Sequence, residues 1–455
     1  MFSDRARLGA LLDDEARLFS ELHPESERLW REAFPHLAEG VPMLWMLKWP
    51  GGWPIHVASA KGAHVTDVDG IDYVDLCLGD TGAMVGHAPD ASVAALTAQL
   101  QRGSTFMLPT EHAGRAAAIL GERFGVPRWQ FTLTATDANR HVLRYARAVT
   151  GRPKVLVIDH CYHGTVDEAY ATLDDSGAVV ARRGNIGAPV PLDATTVVVP
   201  FNDIPALEAA LASREVAAVL IEPAMTNVGI VLPEDGWHDA VRAACDATGT
   251  LLVIDETHTI CAGPGGMTGR DGLRPDAVVL GKTIAGGVPA GAFGMTEDFA
   301  ARVHAFLDPD GDGMEDIDVG GVGGTLAANA LSLAGIVATL GEVLTPEVFP
   351  GMIDRATEWT TGVQGVIDEF GVPWQVTRLG CRAEYSFRPT PPRDGREAAD
   401  ADDFELQQFL HLFALNRGVL MTPFHNMALM SPATTSEDVV RHTAMFREAV
   451  AALVG

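Results

Sequence analysis

Two apolar runs that stop abruptly at a charged residue restrict the fold more than anything else in this chain. Leu251-Leu252-Val253-Ile254 ends at Asp255, and Ala277-Val278-Val279-Leu280 leads directly into Gly281-Lys282. Aliphatic runs without polar alternation have no solvent face, so each reads as a parallel strand buried on both sides that delivers a functional group at its carboxyl end. Further strand candidates are 130–133, 154–158, 196–199, 218–221 and 292–295, most of them separated by helical stretches such as 138–150, 204–213 and 236–248. That alternation predicts an α/β fold with a mainly parallel seven-stranded sheet sandwiched by helices.

The residues at the ends of the two runs form a chemical pair. A lysine in a partly dry pocket gives up its proton readily, so Lys282 is suited to forming a Schiff base with an aldehyde and then to carrying protons. An aspartate nearby keeps a pyridine nitrogen protonated, which makes pyridoxal phosphate an electron sink. Either residue alone reads as an ordinary strand-end acid or a surface lysine. The neighbouring sequence changes that reading.

Asp255-Glu256, the run from Gly281-Lys282-Thr283 to Ala292-Phe293-Gly294, and Gly323-Gly324-Thr325-Leu326 resemble the class III, fold-type I pyridoxal-phosphate aminotransferases, in the glutamate-1-semialdehyde aminomutase-like branch. The resemblance runs from about Asp67 to the C-terminus. It implies pyridoxal 5′-phosphate as cofactor, a large cofactor-binding domain over 106–340, and a small α+β domain built from 1–105 and 341–455. Lys282 and Asp255 are then the catalytic residues. Tyr162, in Cys161-Tyr162-His163-Gly164, stacks on one ring face and Thr257 covers the other, a position where relatives usually carry valine. Glu222 acts as a buried acceptor and Asn227 bonds the cofactor's phenolic oxygen. Thr325 caps the phosphate of a neighbouring subunit's cofactor, implying a homodimer with shared sites. His258 reads either as a partner of Asp255 or as a packed histidine.

Thr134-Ala135-Thr136-Asp137 lies between a strand and a helix, where free N–H groups and hydroxyls suit an anion. By resemblance, Ala135 and Thr136 hold the cofactor phosphate, with Ala135 where the family has glycine.

Sixty acids against 33 bases give a net charge of −27. Nucleic acid and anionic membranes are therefore excluded as expected partners. Five scattered cysteines without CxxC spacing suggest reduced thiols. No run approaches the roughly 20 apolar residues that span a bilayer, and residues 1–25 lack a signal-peptide core, so a cytoplasmic protein is expected. Asp308-Pro309-Asp310-Gly311-Asp312-Gly313 imitates the start of a calcium loop, but its twelfth position is Val319, so no metal site is expected. Arg140, Arg144 and Arg147 read as a solvent-facing helical stripe. The amphipathic segment 3–37 reads as an arm that packs on a neighbour or acts as a local lid.

Substrate choice turns on residues 42–54, which crowd Trp45, Trp49 and Trp53 with methionines around turns. They form either a core plug or an apolar pocket wall. The aminomutase holds its substrate carboxylate with a serine and an arginine in this segment and has Gln-Phe-Glu where this chain has Pro423-Phe424-His425-Asn426. These departures lead to the expectation of an aminotransferase working between a hydrophobic amine or β-/ω-amino acid and a keto acid, ketone or aldehyde, with Arg382 or His425 receiving any carboxylate. The alternative is glutamate-1-semialdehyde 2,1-aminomutase. Less favoured are a racemase, a decarboxylase and a non-catalytic cofactor-binding protein.

Overall fold

In the computed structural model residues 4–311 and 320–455 are described. Asp312, Gly313 and Val319 of the acidic turn lie outside them. The chain divides into two compact units. The larger comprises Asp90–Pro346 and Pro392–Ala399, and the smaller takes the residues up to Pro89 together with Glu347–Pro391 and Asp400–Gly455.

The larger unit is built on the seven-stranded sheet expected from the apolar runs. Its strands are β1 (Arg128–Thr132), β2 (Lys154–Ile158), β3 (Thr196–Val199), β4 (Val216–Ile221), β5 (Leu251–Asp255), β6 (Ala277–Leu280) and β7 (Gly291–Met295), in the spatial order β1-β7-β6-β5-β4-β2-β3. Only β7 runs against its neighbours. Every residue of β4, β5, β6 and β7 is buried, which accounts for their lack of polar alternation. Each Val, Leu or Ile so placed contributes about 1.5–3 kcal/mol relative to exposure.

Helix Ala135–Thr150 starts where Thr134 Oγ1 accepts a hydrogen bond from Asp137 N and stops at Gly151, whose φ of 67° is left-handed. It buries Ala138, Val142 and Ala146. Arg140 and Arg144 of the arginine stripe are exposed, whereas Arg147 is half-buried and paired with Glu168 at 2.7 Å.

Boundaries differ from the sequence reading at two places. Helix Asp90–Arg102 clusters with the larger unit, where Ser92 Oγ lies 3.0 Å from Thr339 Oγ1. The segment 388–403, read as a surface loop, contains helix Gly395–Asp400, and its part Pro392–Ala399 joins the larger unit. Asn202 Nδ2 donates to the Arg393 carbonyl at 2.9 Å, and Arg393 pairs with Glu234 at 2.8 Å. These tertiary contacts leave no mark on local composition.

The smaller unit holds a four-stranded sheet (Val57–Lys61, His64–Asp67, Asp72–Asp75, Val419–Leu420) and a three-stranded one (Gln375–Leu379, Arg382–Ser386, Met427–Leu429). Its long helices are Phe349–Phe370 and Ser436–Val454, the latter opened by a capping box between Thr435 and Asp438. The N-terminal arm folds as Arg5–Leu22 and Pro24–Ala33. It is tied within the smaller unit by Arg5 to Asp403 and by Glu15 to Arg417 at 2.9 Å. Among the described residues, no single helix is long and apolar enough to cross a membrane, and no cluster of His, Cys, Asp or Glu is placed to hold a metal.

Candidate active site

Because β1, β2, β4, β5 and β6 all point the same way, the segments that follow them emerge on one edge of the sheet. Those segments carry Thr134–Thr136, Cys161–Gly164, Glu222, Asp255–His258 and Lys282. Open parallel sheets bind ligands at this carboxyl edge.

Asp255 is buried and fully engaged by donors. Its Oδ2 accepts from Asn139 Nδ2 and lies against His163 Nδ1, both at 2.9 Å, while Oδ1 accepts from Thr257 N at 3.0 Å. Burial pushes the carboxyl up, but His163, Thr257 and Asn139 outweigh it and hold it at about 2, well below the usual range. His163 moves the opposite way: burial opposes its charge, and the neighbouring Cys161 and Asp255 more than offset that. Asp255 is thereby fixed as an oriented anion. Next to it, Glu256 accepts from Thr259 Oγ1, Met267 N and Thr268 N, and burial raises its carboxyl pKa.

Lys282 follows β6 with a backbone φ of 53°, in the left-handed region disfavoured for residues with a Cβ. Strain of this sort persists where the surroundings over-determine it, commonly at functional positions. Its Nζ is 2.7 Å from Nε2 of His258. The sequence offered two settings for His258, partner of Asp255 or packed core residue; the structure places it against the lysine. Only the pairing of β5 with β6, in which Asp255 stands opposite Val279, brings the two together.

Two glycines shape the floor beside the helix start. A Cβ on Gly281 would come 2.8 Å from Ala135 Cβ, and one on Gly164 would come 2.1 Å from Thr136 Oγ1. Gly164 also has a φ of 77°. Thr136 Oγ1 accepts from Thr165 N at 3.1 Å, locking the loop after β2 onto the helix N-terminus. The start of Ala135–Thr150, with Ala135 and Thr136 half-buried, thus forms a backbone cradle of the kind that takes an anion.

Other predicted residues are placed as follows. The half-buried ring of Tyr162 meets Tyr170 edge-on at 6.0 Å. The Oγ1 of Thr257 is buried without a hydrogen-bond partner, as is Nε2 of His163. Glu222 is buried and accepts from Thr226 Oγ1, and Asn227 Nδ2 donates to the His160 carbonyl at 2.9 Å. Thr325 is exposed, after Gly323 and Gly324, whose φ values are 141° and 136°.

The substrate-pocket candidates all belong to the smaller unit. Trp53 packs against Phe19 (5.5 Å) and Trp30 (6.5 Å) and donates from Nε1 to the His23 carbonyl. Trp49 joins the same cluster, while Trp45 is 48% exposed. Arg382 is wholly buried, 3.7 Å from Asp80 and 3.9 Å from Glu384, and His425 lies 3.4 Å from Glu384.

Comparison with known proteins is consistent over nearly the whole length. The profile of the family Aminotransferase class-III matches residues 48–449. The glutamate-1-semialdehyde 2,1-aminomutase of Anaeromyxobacter dehalogenans is 32% identical over 406 residues, covering 88% of this chain and 91% of the relative. A crystal structure of a glutamate-1-semialdehyde aminomutase from Pseudomonas aeruginosa PAO1 is 48% identical, covers all of both chains and superposes with a TM-score of 0.97; a lysine-to-alanine variant has been solved in complex with PMP. An omega-transaminase from Sphaerobacter thermophilus is more distant, at 30% identity and a TM-score of 0.86 over 94% of this chain and 98% of that one. These likenesses overturn the expectation of a transaminase for hydrophobic amines, since the more similar proteins carry the aminomutase name. The apolar segment that suggested it has another use: Trp49 and Trp53 pack under the N-terminal arm.

Proposed function

The chain belongs to the class-III aminotransferase family and uses pyridoxal phosphate, and from that premise we propose that it is a glutamate-1-semialdehyde 2,1-aminomutase. It would shift the amino group between neighbouring carbons of one small acidic amino aldehyde, rather than between two substrates. The observation that carries this reading is the 48% identity to an aminomutase across the full length of both chains.

The residues fit the cofactor. The glycine-lined cradle at the Ala135 helix start suits a phosphate, the donor-fixed Asp255 suits a protonated ring nitrogen, and the partnerless hydroxyl of Thr257 is available to a polar ring substituent. Pyridoxal phosphate, when bound, supplies an aldehyde that exchanges amines and a cationic ring that withdraws electrons from the substrate carbon.

What the protein adds is placement. Asp255, kept anionic by Asn139, His163 and the Thr257 amide, holds the ring-nitrogen proton in place. Lys282 Nζ takes a proton from one carbon and returns it at another, and its strained backbone restricts where the amine reaches. Tyr162 and Thr257 would hold the ring between them, Glu222 and Asn227 would organise the loop beside them, and Ala135 and Thr136 would hold the phosphate.

The active unit in this reading is a cytoplasmic homodimer. Thr325, which is exposed, would serve a partner's phosphate, and a subunit contact would cover exposed apolar residues such as Phe106, Met107 and Leu108. The five cysteines are unpaired with one another and buried, as suits a reducing compartment.

Incubation with glutamate-1-semialdehyde tests the function. Conversion to 5-aminolevulinate without any amine donor or keto acid is expected. A strict requirement for a second substrate would refute the mutase reading.

A further inference from the structure

His258 is 8% exposed and has a ring nitrogen within hydrogen-bond distance of the lysine amine, yet the proposed chemistry gives it no task. The two residues come from different strands: His258 lies three residues beyond the end of β5, Lys282 two beyond the end of β6. A nitrogen pair 2.7 Å apart shares one proton, because charging both would bring two cations into contact. In its ammonium form Nζ is the donor of this contact and Nε2 the acceptor.

The acids on the same segment are engaged elsewhere. Asp255 takes Asn139, His163 and the Thr257 amide, and Glu256 takes Thr259, Met267 and Thr268. His163 stands behind Asp255, its Nδ1 2.9 Å from Asp255 Oδ2.

We propose that His258 is a positioning residue for Lys282. Whenever the amine is not covalently engaged, the imidazole holds Nζ and fixes the direction from which it takes and returns the substrate proton. The proposal rests on the reading of Lys282 as the reactive lysine. In this role the buried ring substitutes for water as the acceptor of the released amine.

The experiment uses full-length protein loaded with pyridoxamine phosphate, in which Lys282 is a free amine. Trace acetylation across a pH series, read by peptide mass spectrometry, gives the midpoint at which Lys282 becomes reactive. In His258→Met the ammonium loses its acceptor, so the midpoint should fall by about one pH unit, a tenfold change in the proton equilibrium. In His258→Gln the amide oxygen still accepts, so the midpoint should stay near that of the wild type. In turnover, His258→Met should lower kcat about tenfold or more with little change in KM, because positioning is lost and binding is not. An unchanged or raised midpoint in His258→Met, or equal effects of the two substitutions, overturns the proposal. Borohydride mapping with pyridoxal phosphate separates the two levels: reduction onto another lysine refutes the role of Lys282 itself, whereas reduction onto Lys282 with an unmoved midpoint refutes only that of His258.

Discussion

Asp255 and His163 show how a buried charge is kept useful. An isolated carboxylate at this depth would take up a proton, but the Asn139 amide, the Thr257 N–H and the adjacent His163 imidazole keep it ionised. Asp255→Asn preserves the shape and removes the charge. Turnover should fall by about a hundredfold or more, as expected when a preorganised electrostatic partner is lost, and steady-state kinetics at saturating substrate checks this. The same substitution leaves His163 buried without its counter-ion, a loss on the order of 3 kcal/mol visible in denaturant titrations. Lys282→Ala is the complementary change. Borohydride should fix pyridoxal phosphate to the Lys282 peptide of the wild type and to no peptide of the variant, and fixation elsewhere would refute the assignment. Both residues were legible in the sequence because each ends an apolar run. The contact of His258 with Lys282 was not, since it depends on how β5 registers against β6.

The glycines at the loop–helix junction matter through what they allow to approach. Gly164 lets the loop after β2 lie on Thr136, and a methyl group there would collide with the threonine hydroxyl while the backbone sits at a φ of 77°. Gly164→Ala should therefore displace the loop carrying Tyr162 and His163 and cost about 1–3 kcal/mol through strain. Cofactor retention on dialysis should weaken alongside thermal stability. Unchanged retention would show that the junction does not support the anion cradle. The seven strands of the larger sheet and the helices read at 138–150, 204–213 and 236–248 lie within a few residues of where the sequence put them, because burial on both faces removes polar alternation and caps such as Thr134 and Gly151 mark the helix ends. The helix Gly395–Asp400 was hidden in a proline-rich acidic stretch. The placement of Asp90–Arg102 was hidden as well, since distant partners such as Thr339 decide it. Substrate class was misread for a related reason: the tryptophans of 42–54 carry no sign in their own sequence that the N-terminal arm would cover two of them.

At the scale of the whole chain, buried histidines contribute to how stability answers to pH, in opposite directions at different sites. In the smaller unit His411 and His442 sit inside helices Phe404–Leu415 and Ser436–Val454. Burial pushes both down to about 3, and His411 further disfavours charge on His442. A histidine whose folded value is depressed binds fewer protons folded than unfolded at any pH between the two values, so stability falls as acid is added through that window. Measured from an unfolded value of about 6.5, each should cost about 2 kcal/mol by pH 5, or about 4 kcal/mol together. In the larger unit the sign reverses for His163, raised to about 10 by Cys161 and Asp255 against the effect of burial. Its contribution is complete below about 6.5 and is lost as pH rises toward 10, while that of Asp255 is lost only on acidification toward 2. Acid between pH 7 and 5 should therefore weaken the smaller unit and leave the His163–Asp255 pair intact. The double substitution His411→Leu, His442→Phe tests this, the phenylalanine retaining a ring against Trp359 and Phe446. Calorimetry at pH 7.5 and pH 5 should show a clearly shallower loss of stability in the double variant than in the wild type; an identical acid dependence would mean that neither histidine is buried in its neutral form.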